Sequence, residues 1–147
     1  MLITPGQIIV MNMQVNNSGT ILYSHPYLVI FANEDNRYIE IAQVDSLKGK
    51  EYKAARRSNK IIYCDEPIET VIDKDSYIQL DNILRIEYFD ELVNLRRQKD
   101  LLSHNKFLDV QQAYIKYQNT HMIDENKQVY LRKEQVVNIN PKLKRLK

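Results

Sequence analysis

The sequence predicts a mainly β protein of the α+β class, a small barrel of about five or six short strands followed by a C-terminal helix. Three observations carry this. Between residues 5 and 90 the apolar residues come in short runs with period two or none, separated by turn signals. After residue 100 the period lengthens to three and four. The chain of 147 residues, 44% hydrophobic and 27% charged, suits one ordinary domain over 1–147 and excludes disorder as a whole-chain description.

Thr4-Pro5-Gly6 is a turn signal, and Gln7 to Met13 reads as a buried first strand. Gln14 to Thr20 is a loop, since Asn16, Asn17 and Gly19 favour turns. A short bridge, Ile21 to Tyr23, precedes Ser24-His25-Pro26, and Tyr27 to Ala32 is a second buried strand. Asn33 to Asn36 forms a hairpin turn. The third strand, Arg37 to Val44, alternates cleanly: Tyr38, Glu40, Ala42 and Val44 on one side, Arg37, Ile39, Ile41 and Gln43 on the other. Asp45 to Asn59 is a polar, basic loop with one helical turn expected at Glu51 to Arg57. Lys60 to Tyr63 is a short strand broken by Asp65-Glu66-Pro67. Ser76 to Leu80 is another, and Asp81 to Glu87 continues the pairing or turns into the next strand.

In the second half Asp90 is placed to cap a helical start at Leu92, Val93 and Leu95. Phe107, Val110, Tyr114 and Tyr117 mark one helix face, widened by Leu108 and Ile115 and begun at Ser103 or Asn105. That stripe is expected to pack on the barrel. Asn119 to Asn126 is a polar break, Gln128 to Asn140 reads as a strand or two, and Pro141 to Lys147 is a basic tail.

Composition restricts the chemistry. The net charge of +2 forces neither a nucleic-acid nor a membrane partner. One cysteine, Cys64, excludes an intrachain disulfide and a multi-cysteine zinc site, and fits a reducing cytoplasm. The first residues show no signal-peptide pattern, and no apolar run approaches the roughly 18 residues of a membrane span. His104 and His121 lack a metal-binding spacing, and no Gly-rich phosphate loop is present. No metal or other cofactor is expected.

Five blocks in order resemble the MazF/PemK family of toxin–antitoxin ribonucleases. They are Pro5-Gly6-Gln7-Ile8-Ile9-Val10, the loop Asn16-Asn17-Ser18-Gly19, and His25-Pro26-Tyr27-Leu28-Val29-Ile30. Ile41 to Gly49 and the Asp75-Ser76…Asp81-Asn82-Ile83-Leu84-Arg85 segment complete the set. The likeness covers residues 5 to about 90. It implies an SH3-like barrel core over 1–90, with 91–147 as a helical and strand extension. It departs from the family at Gly6-Gln7, where the family has Gly-Asp, and at His25, where it has Arg before Pro.

The resemblance implies a metal-independent endoribonuclease that cleaves single-stranded RNA to a 2′,3′-cyclic phosphate. It also implies a cognate antitoxin as partner and a homodimer with RNA across its seam. His25 falls in the family's Arg slot and is the candidate general acid or base. Ser46 takes the hydroxyl position, and Asp45 is placed to orient the imidazole. Lys48, Lys50, Lys53, Arg56, Arg57 and Lys60, with Tyr52 among them, suit an RNA groove, since charges track phosphates and rings stack on bases. The plainer readings are a strand-entry histidine, an ordinary turn at Asp45-Ser46 and a solvated loop. They correspond to a non-catalytic module that binds nucleic acid or a protein.

Overall fold

A computed structural model describes residues 1–65 and 68–144. Its strands are β1 (Ile8–Gln14), β2 (Ile21–Asn33), β3 (Tyr38–Ser46), β4 (Asn59–Ile62), β5 (Ser76–Gln79), β6 (Ile83–Glu87) and β7 (Gln128–Leu131). The α-helices are α1 (Glu51–Ala54), α2 (His104–Thr120), α3 (Lys133–Ile139) and α4 (Pro141–Lys144), with 3-10 turns at Asp90–Leu95 and Glu125–Lys127. The architecture is α+β and mainly β.

The strands form one forked sheet. β1 pairs with β2 and β2 with β3, both antiparallel. β3 then serves two partners on its other edge. Tyr38 to Ile41 pair with β6, and Val44 to Ser46 pair with β5. β4 adds to β5, and β7 runs parallel to β6. The expected barrel does not close: β1, β4 and β7 each pair with a single strand among the described residues. Chain from the second half covers the outer edge of β1 instead. Arg97 donates its N–H to the Ile8 carbonyl and Leu102 to that of Gly6. Gly6 itself stands at φ +98°, a conformation that strains any other residue.

The bridge at Ile21 and the run from Tyr27 belong to one strand of 13 residues. Pro26 sits inside it without breaking it, because it lies opposite Val10 on β1 and pairing to β3 begins only at Tyr27. Its missing N–H therefore faces no ladder partner. A register shift between Met11 and Met13, with Ser24 at φ 47°, lets the strand bend there.

Both faces of the sheet are buried. On one, Ile8, Leu28, Ile30, Val44 and Ile78 pack with Val110 and Tyr114 of α2. Phe107 and Tyr117 extend that contact, whereas Ile115 stays exposed. On the other, Ile9, Met11, Tyr27, Val29, Ile41, Leu84 and Ile86 pack with Leu92, Leu95, Val136 and Leu143. Residues after 90 thus complete both cores.

The C-terminal reading needs correction. Only Gln128–Leu131 is strand; Lys133–Ile139 is helical. Val136 and Val137 favour strand, but the Gln135 side chain accepts the Arg132 N–H at 2.8 Å and caps the helix start. Asp90 begins a 3-10 turn rather than capping an α-helix, its carboxylate accepting from the Tyr88 hydroxyl. Part of the break at Asp65-Glu66-Pro67 and the last three residues of the basic tail lie outside the described residues. No described helix is long and apolar enough to cross a membrane.

Candidate active site and cationic cleft

Strand register brings His25 and Asp45 together. His25 lies two residues before Tyr27, which pairs with Gln43, and Asp45 lies two residues after Gln43 on the same face. His25 Nε2 is 3.2 Å from Asp45 Oδ1. The contact is electrostatic rather than an aligned hydrogen bond, since Nε2 is buried with no well-aligned acceptor. The imidazole as a whole is 23% exposed, so its remaining edge is open to solvent.

Asp45 is fixed from its other oxygen. Oδ2 accepts from Gln79 Nε2 at 2.8 Å and from Gln43 Nε2 at 3.1 Å. Burial alone would push this carboxyl up. The His25 and Gln79 contacts and the charges of His25 and Lys50 outweigh it and hold the carboxyl below its ordinary value. Asp45 is therefore a committed anion. Beneath the pair, the Tyr27 ring meets the imidazole edge-on at 5.5 Å. Its hydroxyl is buried without a hydrogen-bond partner. Burial first, and the Asp45 charge second, push that phenol above its usual range, so it stays protonated.

Asp45 also forms the inner wall of a cleft of about 400 Å³. Lys50, Lys53, Arg56 and Lys127 surround the opening, with Tyr77 and Gln79 on the floor. Lys127 is paired to Asp81 at 2.8 Å. Lys50, Lys53 and Arg56 have no ion-pair partner among the described residues, so their charge is available to a ligand anion. Helix α1 is a single turn, and it lifts Lys53 beside the start of β4, where Asn59 Nδ2 donates to the Lys53 carbonyl at 2.6 Å.

Not every expected residue joins this group. Ser46 follows Asp45 in β3 and therefore faces the opposite side of the sheet. Lys48 is exposed outside the cleft, and Tyr52 projects from α1 at 67% exposure with the Lys53 ammonium 6.0 Å from its ring centre. Arg57 and Lys60 line a different groove, against α2, where Lys60 pairs with Asp109 at 3.0 Å.

Residues the sequence reading did not single out complete the site: Gln43, Gln79, Tyr27, Tyr77 and Lys127. Gln43 had a signal, for it sits among Ile39 and Ile41 on an apolar face, where a buried amide needs a partner. Lys127 had none, because it arrives from a polar segment distant in sequence.

A larger cleft, about 730 Å³, opens between α2 and the β2–β3 hairpin. There Glu40 neutralises Arg85 at 2.6 Å, and Glu34 and Asp35 sit on the rim. That balance is net acidic and disfavours a phosphate chain. No protein-family model matches the chain, and no curated protein matches it.

Proposed function

We propose that the protein is a metal-independent endoribonuclease acting on single-stranded RNA, of the MazF/PemK toxin type. The forked sheet is then an SH3-like barrel left open. The observation that carries the reading is the buried anion Asp45, which lines a cleft with three unpaired cations and has a part-exposed His25 at its other oxygen.

In this reading His25 takes the proton of a ribose 2′-hydroxyl as that oxygen attacks the adjacent phosphorus. The bond from phosphorus to the 5′-oxygen breaks, giving a 2′,3′-cyclic phosphate, and the departing oxygen takes a proton from solvent water. Asp45 balances the imidazolium formed. Lys50, Lys53 and Arg56 hold the phosphate and offset its developing charge. Ser46 has no part in this arrangement. The toxin reading further expects an antitoxin partner, a cytoplasmic setting and a homodimer. Light scattering that stays near the 17.5 kDa of one chain at tens of micromolar would remove the dimer.

The test is incubation of pure protein with a long unstructured RNA in the presence of EDTA. Discrete fragments with cyclic-phosphate ends, lost in His25→Ala, support the enzyme. Intact RNA that is nevertheless bound supports a non-catalytic module.

A further inference from the structure

We propose that a second nucleotide-binding groove, lined by Arg57, Lys116, Tyr117 and His121, continues the cationic cleft around the edge of β4 and holds neighbouring nucleotides of the same RNA strand. This rests on the reading of the first cleft as an RNA site.

The groove has a volume of about 420 Å³ and lies against α2. Arg57 and Lys116 are exposed and have no ion-pair partner among the described residues, whereas Lys60 nearby is matched by Asp109. Tyr117 and His121 lie one helical turn apart at the end of α2. Their rings stack face to face, 4.0 Å between centres and 8° from parallel. His121 Nδ1 lies 3.0 Å from Thr120 Oγ1 and 3.3 Å from the Tyr117 carbonyl, which holds the ring in place. His121 is exposed, so the stack can extend by one more ring. A nucleobase fits that place, since every base has a π face. Cations beside a ready-made stacking platform suit a nucleotide better than an acidic peptide, which has charge and seldom a ring.

Continuity comes from the chain itself. Arg56 lines the first cleft and Arg57 the second, and Asn59 lines both. The two clefts are thus the two sides of one edge strand, joined at its first residue. An extended strand of RNA with a phosphate among Lys50, Lys53 and Arg56 would cross that edge and reach the ring pair.

The test uses a labelled, uncleavable 2′-O-methyl oligonucleotide and fluorescence anisotropy across a salt series. Arg57→Ala with Lys116→Ala should weaken binding and flatten the dependence of log affinity on log salt by roughly 1.4, at about 0.7 for each lost phosphate contact. His121→Ala should weaken binding roughly fivefold or more with the salt slope kept. Circular dichroism establishes that each variant is folded. If both variants bind as the parent does while Lys50→Ala does not, the second groove is wrong and the first stands. If the parent binds and the groove variants fail, yet RNA is never cleaved, the groove stands and the catalytic reading falls. A parent that binds nothing overturns both.

Discussion

Asp45 shows how one buried carboxylate is kept charged. Two amides donate to one oxygen and an imidazole faces the other, so the carboxyl is held below its usual value against the effect of burial. The sign follows. A depressed folded value means that the stabilisation is present above the ordinary aspartate value, about 3.9, and is lost as pH falls through the lowered one. Asp45 thus stays ionised throughout mildly acidic conditions. On the proposed ribonuclease reading, Asp45→Asn should lower RNA cleavage about a hundredfold or more at every pH above roughly 5, with RNA affinity little changed. Single-turnover kinetics beside anisotropy would separate the two. Asn140 is the second residue whose role is explicit. Its side chain accepts the Asn12 N–H at 2.8 Å and donates to the Asn12 carbonyl at 2.9 Å, while Asn12 Oδ1 accepts the Ser24 N–H at 2.7 Å. Ser24 directly precedes His25, so this relay ties the C-terminal segment to the candidate site. Asn140→Ala leaves backbone groups of Asn12 without partners in a partly buried place. A loss of about 2 kcal/mol in urea unfolding is expected, and a smaller loss would mean the backbone re-pairs.

Between elements, Glu40 links β3 to β6 and α2. Arg85 Nε donates to Oε1 at 2.6 Å and the Tyr114 hydroxyl to Oε2 at 2.5 Å. Tyr114→Phe keeps the ring that packs on the sheet and removes only the donor. It should cost about 1–3 kcal/mol by leaving a buried carboxylate oxygen unpaired, read as a drop in denaturation midpoint with unchanged slope. A neutral effect would show that this oxygen reaches solvent. The face carrying Val110 and Tyr114 was legible as a three-four spacing, because helix burial depends on local order alone. The long β2 was not, because Ser24-His25-Pro26 reads as a break until the neighbour of Pro26 is known. Nor was α3, whose adjacent valines speak for strand while a single glutamine cap decides for helix. The same division holds at the site. His25 and Asp45 were singled out through the family resemblance, whereas Gln79 joins Asp45, and Lys127 the cleft, only through strand pairing and long-range folding. The barrel failed to close for a comparable reason: β3 is long enough to carry two partners, and chain after residue 90 takes the edge of β1.

At the scale of the molecule, the buried tyrosines set an alkaline limit. Tyr27 and Tyr114 are pushed above the ordinary phenol value first by burial and then by the charges of Asp45 and Glu40 respectively. Tyr77 and Tyr88 move the same way, again mainly through burial. Each is therefore protonated in the folded chain at a pH where the unfolded chain, with phenols near 10, has lost the proton. The unfolded state then binds fewer protons than the folded one, so stability falls as pH rises past about 10. Below that pH these four groups contribute their full share. The expected behaviour in a spectrophotometric titration is that these four of the ten tyrosines ionise late, together with the loss of ellipticity, rather than in the ordinary phenol range. Tyr114→Phe should remove one late phenol, and Tyr27→Phe another that comes from the face carrying His25. All ten ionising near pH 10 in a chain that keeps its ellipticity would show that the sheet faces are open to water, and the packing on both sides of it would have to be redrawn.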